Sequence, residues 1–234
     1  MNPTCIITGA SHGLGRCLAE RFAAENFDIA ICARRAADLQ QFADELQAQY
    51  PHINLFWQAC DMSDKTAIAT FMQAVVTQAK GEIALLINNV GAFDMGRIST
   101  EPEGRLEQMM SLNLYAAYYS VKNLLPQLIT QKKGHIINIG SIAAIEPLDD
   151  CAAYSISKHA LHAYTQLLRR DLAQHHIRVT GVLPGAMLTR SWDGATIAPE
   201  KIMPPQEVAE IIWQCHHVSN RTVIENIVLK PMFA

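Results

Sequence analysis

Short apolar runs alternate with stretches of helical periodicity along the whole of this chain. Strand candidates lie at 4–8, 28–33, 54–59, 85–88, 135–139, 178–183 and 223–229. Helical stretches fill the intervals at 14–25, 37–50, 64–79, 103–129, 153–175 and 206–216. Several of the runs are apolar at nearly every position, which fits strands covered on both faces. Repeated strand–helix units imply right-handed crossovers and a parallel sheet between two helical layers. The expected fold is therefore α/β: a Rossmann-like doubly wound sheet of about seven mainly parallel strands flanked by helices. At 234 residues the chain can form one large core, so 1–234 is read as a single dinucleotide-binding catalytic domain. Asp38, Phe42, Leu46 and Tyr50 recur every fourth residue, as one helix face does. Asp64 is placed to cap a helix and Gly81 to stop it.

Composition narrows the function classes. The net charge of −3 gives no electrostatic reason to expect nucleic acid, and Arg34-Arg35, Lys132-Lys133 and Arg169-Arg170 do not form a tract. No apolar run approaches the roughly 18 residues of a membrane span. Cys5-Ile6-Ile7 is too short for a signal-peptide core, and no basic leader precedes it. The six cysteines are scattered without a C-x-x-C, so neither a disulfide framework nor a zinc site is expected. The expected setting is cytoplasmic, with no membrane or nucleic-acid partner.

The first strand runs into Thr8-Gly9-Ala10-Ser11-His12-Gly13-Leu14-Gly15, and a helix follows. Glycines let the backbone turn tightly and approach a pyrophosphate, and a helix N-terminus offers unpaired amides. The spacing is G-x-x-x-G-x-G, since Leu18 stands where G-x-G-x-x-G would need its last glycine. A tight strand-to-helix connection is the plainer reading of the same residues. Further along, Tyr154 and Lys158 are one helical turn apart and share a face, with Ser141 upstream. A phenol ordinarily titrates near pH 10. An ammonium about 4 Å away would favour phenolate by roughly 4 kcal/mol at an effective dielectric of about 20, bringing the phenol near neutrality. Such a group can pass a proton to or from a substrate oxygen.

In order and spacing these segments resemble the short-chain dehydrogenase/reductase family across nearly the whole chain. The matching motifs are TGxxxGxG at Thr8–Gly15, NNxG at Asn88-Asn89-Val90-Gly91, Asn113, Ser141, YxxxK at Tyr154 to Lys158, and Pro184-Gly185 with Thr189 following. Val90 replaces the usual Ala, and His12 stands where NADP-using members often carry Arg or Lys. The last strand ends in Leu229-Lys230-Pro231 rather than the common Asp-Gly-Gly.

The resemblance implies hydride transfer between a nicotinamide and a carbonyl or secondary alcohol of a small molecule. Ser141 would hold the carbonyl oxygen and Tyr154 would protonate it. Lys158 would acidify the phenol and bind ribose hydroxyls, and Asn113 would hold a water leading from Lys158 to solvent. The cofactor set implied is Gly9, Ser11, His12, Gly13, Leu14, Gly15, Arg34, Arg35, Asp61, Asn88, Gly91, Tyr154, Lys158, Pro184, Gly185 and Thr189. An acidic residue ending strand two would repel a 2′-phosphate; this chain has Ala33-Arg34-Arg35 there, so NADP(H) is expected over NAD(H). Asp61 suits either the adenine edge or a helix entry, and Thr189 either the cofactor or a loop cap. The Ser191–Pro205 stretch, taken as 186–205 overall, is either filler or a substrate lid. Trp192, Met187, Phe93, Met95 and Ile145 suit either the substrate pocket or the core.

His159 and His162 lack a third ligand, so no metal is expected. His175-His176 and His216-His217 fall near helix ends, where an imidazolium favours the dipole. A homodimer or homotetramer on the 103–129 and 153–175 helices is implied. The alternative function is a catalytically silent NADP(H)-binding sensor, a class in which Tyr or Lys can be lost.

Overall fold

Successive residues of a strand point to opposite faces, and here the two faces are covered by different helices. The computed structural model describes residues 1–189, 198–219 and 221–233. Its strands are β1 (Thr4–Thr8), β2 (Asp28–Ala33), β3 (Leu55–Ala59), β4 (Ile83–Asn88), β5 (Gly134–Ile139), β6 (Ile177–Pro184) and β7 (Asn226–Leu229). They form one sheet in the order β3-β2-β1-β4-β5-β6-β7. Every pairing is parallel. The helices are α1 (Gly13–Ala23), α2 (Ala36–Gln49), α3 (Lys65–Gln78), α4 (Arg105–Met110), α5 (Ala116–Gln131), α6 (Ala152–Leu172) and α7 (Pro205–His216). The α/β expectation and its strand positions stand. β4 starts earlier than expected, and β7 is a short stub of the 223–229 run.

Cys5, Ile7, Ile29 and Ile31 pack with Leu18, Phe22, Leu39, Phe42 and Ile212 on one face. Ile6, Ala30 and Cys32 pack with Ile68, Phe71, Val121, Leu124 and Leu168 on the other. Leu39, rather than Asp38, begins the buried stripe of α2. Asp64 accepts from Thr66 N at 2.8 Å and caps α3 as its sequence position suggests. Gly81 lies beyond the α3 C-cap at Ala79, and a Cβ there would sit 2.2 Å from Asn2 O. Close approach, rather than helix termination, accounts for that glycine.

The expectation of uniformly right-handed crossovers needs correction at the last connection. The strand order advances from β4 to β7, and α5 and α6 cover one face. α7 instead lies on the α1 face, so β6-α7-β7 is left-handed, a rare arrangement. The reason is coverage. On that face Leu85, Ile87, Ile137, Ile139 and Val182 project from β4, β5 and β6, and α7 buries them with Val208, Ile212 and Trp213.

A histidine pair, His135 buried and His216 half-buried, anchors α7 to the sheet. The Thr180 hydroxyl donates to Ile224 O at 2.6 Å, so it accepts from His135 Nε2 at 2.9 Å. His135 Nδ1 must then accept from His216 Nδ1 at 3.2 Å. Burial pushes His135 far below its ordinary value and His216 down to about 3, with the Arg178 guanidinium adding to both. His216 is thus neutral, contrary to the expected imidazolium at a helix end; desolvation outweighs the dipole. Among the described residues no helix is long and apolar enough to cross a membrane.

Unfolding lets both imidazoles take up protons below about pH 6.5. Their contribution to stability is complete above that pH and is lost as pH falls toward about 3. Urea unfolding should therefore give a lower stability at pH 5 than at pH 7. His216→Phe should shrink that difference by about 2 kcal/mol. A wild-type stability unchanged between the two pH values would contradict this account.

Candidate active site

β1 neighbours β2 on one side and β4 on the other, so chain connections leave it in opposite directions. A crevice opens at the carboxyl ends of the strands at such a point. Gly9, directly after β1, has φ +69°, a left-handed turn that favours glycine. A Cβ on Gly15 would lie 2.3 Å from Gly9 O and 2.7 Å from Asn89 Nδ2, so α1 packs against the turn with no room for a side chain. Asn89 fixes that turn: its Nδ2 donates to Thr8 O at 2.9 Å and Gly9 O at 3.1 Å, and its amide donates to Thr8 Oγ1. Asn89 belongs to the NNxG motif, yet the motif alone does not mark it as a residue that fixes the turn.

His12 is the N-cap of α1 and makes no side-chain bond to the helix amides. The His12 side chain therefore leaves the first-turn amides of Gly13, Leu14 and Gly15 uncapped, while the Leu14 side chain is buried in the core. Uncapped amides beside a glycine turn fit an anionic pyrophosphate. The His12 ring reaches Asp38 at 2.9 Å, and Arg35 Nη2 meets the same carboxylate oxygen at 2.5 Å. Asp38 thus gathers His12 and Arg35 at the end of β2, a role hidden by its apparent place on the helix face. Arg34 and Arg35 are exposed, and Ser11 is half-buried close by in sequence. Asp61 accepts from Ser63 N at 2.9 Å and Ser63 Oγ at 2.7 Å. These bonds hold its carboxyl below the usual range, with Arg34 adding to the effect.

Tyr154 and Lys158 lie one turn apart on α6, as their spacing requires. Lys158 is 4% exposed, and its Nζ donates to Ile139 O at 3.1 Å. Its ammonium sits 5.9 Å from the centre of the Tyr154 ring. Burial drives Lys158 down to about 8. Burial also raises the Tyr154 phenol, opposed by a hydrogen bond with Ser141. The phenol near neutrality expected from an ammonium about 4 Å away is not what the structure holds: desolvation dominates, and Nζ is directed to a carbonyl. Tyr154 is consequently protonated at neutral pH. Ser141 is buried, and its Oγ accepts from Ala143 N at 3.1 Å.

The helix expected over 103–129 contains a π-helical turn, Ser111–Tyr115, between α4 and α5. Wide turns of this kind free backbone groups and recur at functional sites. Asn113 sits within it, buried. Its Oδ1 accepts from Ala92 N at 2.8 Å, and its Nδ2 donates to Ala92 O at 3.0 Å and Ser157 Oγ at 2.9 Å. A Cβ on Gly91 would lie 3.0 Å from Asn113 Oδ1 and 3.2 Å from Lys158 Nζ, so Gly91, Asn113 and Lys158 converge. Asn88 does not join them: its Nδ2 donates to Asn138 Oδ1 at 2.8 Å, and Asn138 in turn donates to Thr165 of α6. Its side chain supports α6 from below.

Pro184 ends β6, and Gly185 N donates to Leu229 O at 2.7 Å. Thr189 comes within 3.4 Å of a Cβ built on Gly13, across the crevice. Met187 bridges to Met203, pinning the two ends of the 186–205 segment together. Trp192 and the rest of 190–197 lie outside the described residues. His159 bonds to Ser155 O and His162 to Gln166, each within α6.

A sequence model described as short chain dehydrogenase matches residues 3–198. An uncharacterized oxidoreductase of Staphylococcus saprophyticus is 27% identical over 228 residues, covering 97% of this chain and 96% of the relative. A metagenomic short-chain oxidoreductase solved in complex with NADP superposes with a TM-score of 0.84 at 28% identity, covering 98% of this chain and 97% of its own. An acetoin dehydrogenase from Salmonella typhimurium superposes with a TM-score of 0.86 at 26% identity, covering 100% and 97% respectively.

The depressed Lys158 value has a consequence for stability. An unfolded lysine keeps its proton up to about pH 10.4. Burying the ammonium therefore destabilises the fold below pH 8, and the penalty fades as pH rises from about 8 to the unfolded value. Lys158→Met should raise the melting temperature at pH 7, by the equivalent of on the order of 3 kcal/mol less about 1 kcal/mol for the lost bond to Ile139 O. Thermal melts at pH 7 and pH 10 should show the gain shrinking at the higher pH. A gain that instead grows with pH would contradict the assignment.

Proposed function

The chain belongs to the short-chain dehydrogenase family, and from that premise we propose that it is an NADPH-dependent oxidoreductase acting on a carbonyl or secondary alcohol of a small molecule. The observation that carries this reading is the convergence of a half-buried Tyr154 with the buried Ser141 and Lys158, on the same carboxyl edge of the sheet that the N-terminus of α1 faces. When bound, the reduced nicotinamide supplies a hydride. The chain's own residues do the rest. Ser141 hydrogen-bonds the carbonyl oxygen, and Tyr154 donates its proton to that oxygen. Lys158 carries a positive charge below pH 8, which favours the phenolate left behind. Asn113 positions the turn around Lys158 through Ala92 and Ser157. A phenol that holds its proton at neutral pH is an acid, so the described state suits carbonyl reduction. The presence of both Tyr154 and Lys158 favours turnover over a silent NADP(H)-binding sensor.

The cofactor would lie along Gly9, Gly13 and Gly15, with its pyrophosphate at the α1 amides. Arg34, Arg35, His12 and Ser11 would take the 2′-phosphate, the basis for preferring NADP(H). The complex of the 28%-identical relative with NADP supports that preference. Asp61, Thr189, Pro184 and Gly185 would line the rest, and Asn88 would contribute through its support of α6.

Two variants separate binding from chemistry. Tyr154→Phe should bind NADPH with unchanged affinity and lose at least about 10²-fold in turnover. Arg34→Asp should keep its chemistry and lose its preference for NADPH over NADH. Near-normal turnover by the first removes Tyr154 from its role, and equal use of both cofactors by wild type removes the cofactor assignment.

A homodimer or homotetramer would use the outer faces of α5 and α6 and the π-helical turn before α5. Tyr115, Tyr118, Ile156 and Leu167 are exposed there, Leu167 by 65%. Exposed large apolar side chains grouped on neighbouring helices are what a contact site between chains would bury. Light scattering should return two or four chain masses, and Leu167→Glu should lower the value; a wild-type monomer would remove the proposal.

A further inference from the structure

The crevice mouth in front of Tyr154 is built by two loops that meet. Gly96 N donates to Asp150 O at 2.7 Å, and Ala152 N donates back to Gly96 O at 2.9 Å. Leu148 N donates to Ser155 Oγ at 3.1 Å, tying the second loop to the first turn of α6. These loops expose Phe93, Met95, Ile145 and Leu148, at 38%, 66%, 43% and 40%. The Phe93 ring stands edge-on to Tyr154, with centroids 5.0 Å apart. Four large apolar side chains on the two loops, one of them against the phenol, form a surface that gains by covering.

The charges of the same loops are matched to one another. Arg105 pairs with Asp94, and Arg97 with Asp150, with Asp149 adding to its field. Lys230 pairs with Glu146 at 2.8 Å. Glu101 accepts from Ala153 N at 3.3 Å. Lys158, the deepest cation, is directed to Ile139 O. Arg97, Arg105, Lys230 and Lys158 thus each already face an acceptor. A substrate carboxylate or phosphate would have to displace one of these partners, and a polyol would find an apolar rim.

Resting on the reductase reading above, we propose that the site takes an uncharged ketone with an apolar aryl or alkyl flank, packed on Phe93, Met95, Ile145 and Leu148. Reducing such a ketone consumes one NADPH and one proton and yields the secondary alcohol and NADP⁺. Its carbonyl would face Ser141 and Tyr154, with the flank outward against Phe93.

The test compares acetophenone, phenylglyoxylate and a free ketose with the purified protein and NADPH. Acetophenone should have the highest kcat/KM, by at least about tenfold. Met95→Ala should raise its KM by roughly tenfold with kcat within about twofold, since Met95 packs on the flank and not on the reacting oxygen. Equal or better use of phenylglyoxylate or the ketose, or an unchanged KM in Met95→Ala, overturns the substrate class and leaves the reductase reading intact. NADPH binding without turnover of any of the three overturns the reductase reading itself, and the substrate class with it.

Discussion

A lysine ammonium buried to 4% exposure is the constraint around which the catalytic half of the molecule is arranged. A charge removed from water is costly unless a polar partner is supplied. Here the partner is the carbonyl of Ile139, at the end of β5. Keeping that carbonyl within reach requires α6 to lie close against β5. The Asn138–Thr165 bond and the Asn88–Asn138 bond beneath it hold the helix there. The nearest neighbours must be small or polar, which explains Gly91 and Asn113. The π-helical turn follows from the same demand, because it lets Asn113 reach Ala92 and Ser157 while the helix continues.

The half around the glycine turn, where the cofactor is proposed to lie, takes its shape from close backbone approach. α1 can press on the end of β1 only because Gly15 has no side chain, and Asn89 locks the turn across the divide between β1 and β4. Both halves meet at the carboxyl edge of the sheet, which places the α1 amides and the phenol on one crevice. The paired charges and exposed apolar side chains at its mouth then become a statement about what enters.

Much of the fold was legible in the chain. Near-continuous apolar runs such as Ile29–Cys32 announce strands covered on both faces, and the buried stripe of α2 follows its four-residue recurrence. The ordered motifs located Ser141, Tyr154, Lys158 and the glycine turn. Other features were not legible, for identifiable reasons. Asp38 sits in step with a helical stripe, yet it serves His12 and Arg35, which approach from another loop. His216 stands at a helix end, where its dipole preference is local information, but its neutrality depends on His135 from a strand far away in sequence. The hand of the last crossover depends on which face of β4–β6 is left bare.

The chain alone determined the alternation of strands and helices, the glycine turn, and the one-turn spacing of tyrosine and lysine. Each is a matter of local periodicity or local steric allowance. Only the tertiary structure decided the protonation of Tyr154, the hand of the α7 connection and the pairing of Arg97 with Asp150. Those follow from desolvation and from partners brought together across the sheet, and no window of sequence contains both members of such a pair.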